Sequence, residues 1–97
     1  MRVNDDMIEQ LRAIGHPQRL SLLHALSHGE CGVGELARIT GIGQPALSQQ
    51  LAVLRSAGLI DGRREAKQVF YSINPAAMRK AAAAIVALIP EVIAEQV

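Results

Sequence analysis

Residues 33–73 decide the fold, and they read VGELARITGIGQPALSQQLAVLRSAGLIDGRREAKQVFYSI. Val33 to Ile39 carries apolar residues at helical spacing, and Gly41 after it predicts a tight turn. A second helix is expected over 44–57, with a buried face formed by leucines spaced four and three residues apart: Leu47, Leu51 and Leu54. The stretch therefore predicts a helix, a turn and a helix in direct succession.

A small β-hairpin is predicted to follow these two helices. Residues 59–63 and 68–73 read as strands because apolar and polar residues alternate in the second, and 64–67 forms a basic tip. This order of elements is typical of a winged helix-turn-helix, which places its second helix in the DNA major groove.

Further helices are predicted on both sides of this stretch. Asn4 and Asp5 precede apolar residues at helical spacing, which predicts a first helix over 5–14. A second helix over 17–28 begins at Pro17 after His16, a candidate cap, and is expected to bury Leu20, Leu23 and Leu26. A last helix is predicted over 75–97, with Pro90 either kinking or ending it.

Composition and length bound the class of protein. The 97 residues are 49% hydrophobic and 20% charged, which is typical of one globular domain, and aromatic residues amount to only 2%. The core must therefore be built from aliphatic side chains. Because the chain is so short, we expect a second copy to complete this core in a dimer. The polar N-terminus, the lack of a long apolar run and the single cysteine predict a cytoplasmic protein without a membrane partner.

The net charge of +1 conceals an uneven distribution of charge. Residues 36–80 contain seven basic and two acidic residues, whereas residues 1–35 contain three basic and five acidic ones. The basic excess coincides with the predicted second helix and hairpin, as expected for a surface that contacts phosphates.

The chain resembles the ArsR/SmtB family of bacterial winged-helix repressors. The resemblance rests on GHPQRLSLLHAL (15–26), VGELARITG (33–41), PALSQQLAVLRSAGLI (45–60) and RREAKQVFYSI (63–73). It implies a mainly α fold with a small β-hairpin, in the order α-α-α-α-β-β-α. It also implies a homodimer through the first and last helices, which binds a double-stranded DNA operator and represses transcription until an effector releases it. The chain departs from the family at two places. The family often has a histidine where this chain has Gln50, and it commonly has a glycine near the tip of the wing, where this chain has Glu65-Ala66-Lys67.

The polar face of the second helix of this motif supplies the candidate base contacts. Glutamine amides match the adenine edge, alanine matches a thymine methyl and serine can reach a base edge or a phosphate. The predicted contacts on this helix are Gln44, Ala46, Ser48, Gln49, Gln50 and Arg55. Phosphate contacts are predicted from the turn and the wing, at Thr40, Arg38, Arg63, Arg64 and Lys67.

The sequence does not identify an effector or a cofactor. The family's Cys-x-Cys metal site is reduced here to Cys31, and the last helix lacks the Asp and His of the other common site. An alternative cluster of His24, His28 and Cys31 has ligand types suited to zinc or copper, but two ordinary histidines on an amphipathic helix and a semi-buried thiol are the favoured interpretation, and no metal site is predicted. Cys31 alone remains a candidate redox sensor.

These observations predict a sequence-specific repressor acting on a palindromic operator. The alternative is a winged-helix module that binds another protein through the same face. An enzyme is not expected, because Cys31 with His24 or His28 lacks an orienting third group and paired acids.

Overall fold

The computed structural model describes residues 3–91 of the chain. It consists of five helices and a three-stranded antiparallel sheet within that range. In chain order the elements are α1 (Asp5–Ile14), α2 (Pro17–Leu26), β1 (Cys31–Gly32), α3 (Val33–Thr40), α4 (Ala46–Ser56), β2 (Ile60–Glu65), β3 (Gln68–Ile73) and α5 (Pro75–Val86). The predicted helices and hairpin are confirmed, and β1 is an addition that the sequence did not predict. The predicted tip at 64–67 is too long, because Arg64 and Glu65 pair with β3 and extend β2.

Side chains cap the N-termini of three helices. The Asn4 side chain accepts from the Met7 amide, and the Asn74 side chain accepts from the Ala77 amide. The predicted cap at His16 is confirmed, since its Nδ1 accepts from the Gln18 amide at 3.1 Å. Each bond satisfies an amide that has no partner within its helix.

The core lies between α2, α3, α4 and the start of β2, and its largest fully buried side chains are aliphatic: Leu22, Leu36, Leu47, Leu54, Leu59 and Ile60. The prediction that Leu20 is buried is wrong, because 55% of its surface is exposed. Leu20 lies about 160° around α2 from Leu22, at about 100° per residue. The buried face of α2 is therefore centred on Leu22 and not on the stripe through Leu20.

The sheet has the strand order β1-β3-β2. Along the hairpin, Arg63 pairs with Phe70 and Glu65 with Gln68. On the other side of β3, Cys31 pairs with Tyr71 and Gly32 with Phe70. The short strand β1 therefore ties the hairpin to the segment that begins α3.

Several helix boundaries differ from the prediction, and α2 ends at Leu26 instead of residue 28. Helix α4 begins at Ala46, so Gln44 and Pro45 precede it instead of forming its first turn. Helix α5 ends at Val86, before Pro90, although the prediction extended it through residue 97. The part of that prediction that concerns residues 92–97 lies outside the described residues.

Candidate nucleic-acid interface

The turn between α3 and α4 is held by one glycine and one hydroxyl. Gly41 has φ +72°, a conformation that favours glycine. The Thr40 hydroxyl donates to the Leu36 carbonyl at 2.6 Å and accepts from the Ile42 amide at 3.3 Å. Ile42 is buried and anchors the turn in the core. Thr40, a predicted phosphate contact, thus uses its hydroxyl within the turn.

Helix α4 presents a polar edge because its leucines point inward. Leu47, Leu51 and Leu54 are each at most 3% exposed, as the spacing predicted. At the start of the opposite face, the Gln44 Oε1 accepts from both the amide and the hydroxyl of Ser48, at 3.2 and 2.7 Å. This pairing fixes the Gln44 amide plane and leaves its NH₂ group available to donate to a base.

The neighbouring glutamines of α4 have different surroundings. Gln49 is exposed, and no hydrogen bond to its side chain occurs within residues 3–91. Gln50 is half-buried: its Oε1 accepts from Arg19 at 2.8 Å, and its Nε2 donates to Gln18 at 3.1 Å. The Gln50 amide is therefore used between helices, whereas the Gln49 amide faces solvent.

Arg55 brings the exposed face of α4 into contact with the hairpin. A side-chain carbon at Gly62 would lie 3.6 Å from the Arg55 guanidinium and 3.3 Å from the Tyr71 ring. Arg55 thus packs over β2 at Gly62, where an added side-chain carbon would lie in ordinary contact with Arg55 and in tight contact with Tyr71. Ser48, Arg55 and Tyr71 line one depression of about 360 Å³, so α4 and the hairpin form a continuous surface.

Arg63 is held by two carboxylates and an aromatic ring. Its guanidinium forms salt bridges of 2.7 Å with Glu30 and with Glu65, and lies 5.1 Å from the centre of the Phe70 ring. Hydrogen bonds from Arg63 lower the pKa of Glu30, and those to the two carboxylates raise the pKa of Arg63. Arg63 was predicted to contact phosphate, but its charge is neutralised within the chain.

Arg64 and Lys67 are exposed cations of the wing that, unlike Arg63, form no salt bridge within residues 3–91. The Arg64 Nε donates to the carbonyl of Ala66, a residue at φ +55° in the tip of the hairpin, at a long 3.5 Å. Lys67 lines a depression of about 460 Å³ between the wing and α3, together with Arg38. Arg38 and Lys67 therefore present positive charge to the same groove, from two elements.

The alternative sensing cluster is not gathered into a metal site. His24 and His28 meet edge to face, with ring centres 5.4 Å apart, and both are exposed. Cys31 is buried, and its thiol donates to the Gly29 carbonyl at 3.6 Å. Across residues 3–91, no three His, Cys, Asp or Glu side chains converge in a way that could hold a metal ion. Burial, with a smaller contribution from Glu35, raises the pKa of Cys31 and disfavours the thiolate.

Sequence reasoning missed one residue that organises this surface. Arg19 of α2 contacts both α1 and the Gln50 side chain of α4. Nothing in the local pattern of α2 distinguishes it from an ordinary surface arginine, and its partner Gln50 is 31 positions away.

A helix, a glycine turn, a second helix with a polar outer edge and a charged hairpin beside it define a winged helix-turn-helix domain. Comparison with known proteins identifies the family. Residues 16–61 match the bacterial regulatory protein arsR family, and the chain belongs to that family. The expected resemblance is thereby confirmed. No helix within residues 3–91 is long and apolar enough to cross a membrane.

Characterised relatives include regulators of transcription. The biofilm growth-associated repressor of Xylella fastidiosa (strain Temecula1) is 47% identical over 72 residues, which are 74% of this chain and 63% of that protein. The chain thus spans less than two thirds of the length of this curated relative.

Two solved structures confirm the fold. The transcriptional repressor BigR from Xylella fastidiosa superposes with a TM-score of 0.69 at 45% identity, over 80% of this chain and 82% of that one. A homodimeric winged helix-turn-helix DNA-binding domain from Mycobacterium bovis gives a TM-score of 0.73 at 32% identity, over 86% of this chain and 79% of that one.

Proposed function

We propose that this protein is a homodimeric, sequence-specific DNA-binding repressor of transcription that works in the cytoplasm. The observation that carries the proposal is the continuous surface that α4 and the hairpin form around Ser48, Arg55 and Tyr71, with Gln49 exposed on the same helix. The family and the repressor names of the relatives support the same function.

Within this surface, residues of α4 and Gln44 just before it read bases, and the surrounding cations bind phosphates. Gln44, Ser48 and Gln49 have polar groups that can reach base edges in the major groove, and half-buried Ala46 can touch a thymine methyl. Arg55, near the C-terminus of α4, is also proposed to contact bases. The cations that bind the phosphates on either side are Arg38, Arg64 and Lys67.

Three of the predicted contacts have other roles in this proposal. Thr40 holds the turn, Gln50 joins α4 to α2, and Arg63 braces the hairpin, because their polar groups are bonded within the chain. Each acts on DNA binding by positioning a neighbour.

The dimer interface is proposed at α1 and α5. These helices pack on each other, yet they leave Ile8 37% and Ile85 48% exposed, and Leu88, just beyond the end of α5, is 72% exposed. Each helix buries only alanines within the chain: Ala13 in α1, and Ala81 and Ala84 in α5. A second copy that covers this face would place two α4 helices about one DNA turn, roughly 34 Å, apart and would require a palindromic operator.

Fluorescence anisotropy tests the proposal. The DNA upstream of the protein's own coding region is compared with a scrambled duplex at two salt concentrations. A repressor binds the upstream DNA selectively, and its affinity falls steeply with salt. Equal, weak binding to both duplexes would overturn the proposal and favour a protein-binding module. The same assay with added metals, oxidants or polysulfide screens for the effector.

A further inference from the structure

The guanidinium of Arg19 joins α1 to α4 through three acceptors. Its Nε donates to the Ala13 carbonyl at 2.6 Å, and its Nη2 donates to the Arg12 carbonyl at 3.2 Å. Its Nη1 donates to the Gln50 Oε1 at 2.8 Å. One half-buried side chain of α2 therefore connects the last turn of α1 with the polar helix of the motif.

The two carbonyls are those of a helix end. Arg12 and Ala13 belong to the final turn of α1, where carbonyl groups lack a partner in the helix and the helix dipole favours a cation. Arg19 satisfies both demands. Two of the five N–H groups of its planar guanidinium donate to these carbonyls, and one of the remaining three donates to Gln50. The bonds to α1 thus hold the guanidinium in the position from which it contacts α4.

Gln50 is held from both ends of its amide. Arg19 donates to its oxygen, and its nitrogen donates to the Gln18 Oε1 at 3.1 Å. A rotation of α4 about its own axis would break both bonds. Gln49 and Gln50 are adjacent, so fixing Gln50 also fixes the direction in which the exposed Gln49 side chain points.

We propose that Arg19 is a positioning residue that sets the orientation of α4 relative to α1, and through it the discrimination between DNA sequences. This inference rests on the proposed function, in which α1 belongs to the dimer interface and α4 reads bases. Base contacts depend on the orientation of α4 relative to the dimer interface, whereas phosphate contacts tolerate small rotations of this helix. Arg19 therefore controls selectivity more than total affinity.

The first test is Arg19→Lys, which keeps the charge but replaces the planar fork with a single ammonium group. We expect the ratio of upstream-DNA to scrambled-DNA affinity to fall about tenfold, as for the loss of a charge-assisted hydrogen bond. Affinity for the scrambled duplex and its salt dependence should stay as in the wild type. Arg12→Lys is the matched control, because only its backbone carbonyl takes part and that carbonyl is retained.

Two substitutions at Gln50 provide an independent test. Gln50→Met removes both hydrogen bonds at similar volume and should lose selectivity as Arg19→Lys does, and the double variant should lose no more. Gln50→Glu retains an acceptor for Arg19 and should keep most of the selectivity. A loss in Gln50→Glu that equals the loss in Gln50→Met and is confined to one base pair would mean that Gln50 reads that base itself, which overturns the proposal.

The outcomes separate this inference from the function on which it rests. If the wild type does not discriminate between the duplexes, the proposed function fails and the inference fails with it. If the wild type discriminates and Arg19→Lys retains the same ratio, the function stands and the role of Arg19 is overturned. Circular dichroism establishes that each variant is folded, and the Gln50 variants decide the matter should Arg19→Lys not fold.

Discussion

The guanidinium of Arg63 donates to the carboxylate of Glu30 at 2.7 and 3.3 Å, from β2 across the width of the sheet. Glu30 directly precedes β1, and Phe70 of β3 lies between the two under the guanidinium. The two ends of this ion pair are 33 positions apart in the chain. The pair thus braces the hairpin against the segment that leads into α3.

This pair predicts a pH dependence of stability. Hydrogen bonds from Arg63 lower the pKa of Glu30 below its ordinary 4.5, so the folded chain favours the ionised carboxylate. The stabilisation is therefore complete above that ordinary value and is lost as the pH falls through the lowered one. We expect a higher Tm for the wild type than for Glu30→Gln at neutral pH, and a difference that disappears in acid.

Thermal unfolding followed by circular dichroism, from neutral pH downward, measures this difference. Glu9→Gln is the control, because it removes the same charge from α1, where no salt bridge to Glu9 occurs in the part of the chain that the structure describes. Parallel Tm profiles for the wild type and Glu30→Gln would show that the brace contributes nothing to stability.

Two adjacent arginines of the wing should differ in their effect on DNA binding. Arg64 is exposed and has no salt bridge within residues 3–91, so Arg64→Ala should weaken binding to every sequence and reduce the slope of log K against log salt by about 1. Arg63 is already paired with Glu30 and Glu65, so Arg63→Ala should leave that slope nearly unchanged. Anisotropy titrations over a series of salt concentrations compare the two. An unaltered slope in Arg64→Ala would place its guanidinium away from phosphate.

Base reading is predicted to depend on Gln49. Its exposed amide suits a bidentate contact with adenine, so Gln49→Ala should cost about 1–3 kcal/mol of discrimination at one operator position. Competition with duplexes changed at one base pair at a time locates that position. Binding to the scrambled duplex serves as the internal control. A variant that discriminates as the wild type does would remove Gln49 from the reading surface.

Dimerisation is predicted to depend on the apolar face of α1 and α5 and on the residues that directly follow α5. Leu88 is 72% exposed within one chain, and Leu88→Glu should dissociate the dimer, because burial of each leucine contributes about 1.5–3 kcal/mol and a buried carboxylate opposes association. Leu20→Glu is the matched control, since Leu20 is 55% exposed and belongs to α2, which is not a helix of the proposed interface. Sedimentation velocity measures the mass of each variant. A dimeric Leu88→Glu protein would place the interface elsewhere.

The sequence predicted the parts of the fold that local chemistry determines. The spacing of Leu47, Leu51 and Leu54 defined the buried face of α4, and Gly41 marked the turn before it. The strand β1 escaped prediction because two residues carry no pattern of their own and pair with β3 across about 40 positions of the chain. The partners of Arg63 and Gln50 escaped for the same reason, since an arginine or glutamine in a polar segment looks exposed until the fold brings its partner near.

The reactivity of Cys31 shows whether the thiol of this residue is a sensor or part of the core. It is 7% exposed, and burial raises its pKa, so little thiolate is present at neutral pH. We expect the folded protein to react slowly with a thiol-specific disulfide reagent, and the denatured protein to react at once. Cys31→Ser should bind DNA as the wild type does, because the hydroxyl can still donate to the Gly29 carbonyl, but should unfold at a lower temperature. Rapid modification of the folded chain, with loss of DNA binding that reductant restores, would instead establish Cys31 as a redox switch.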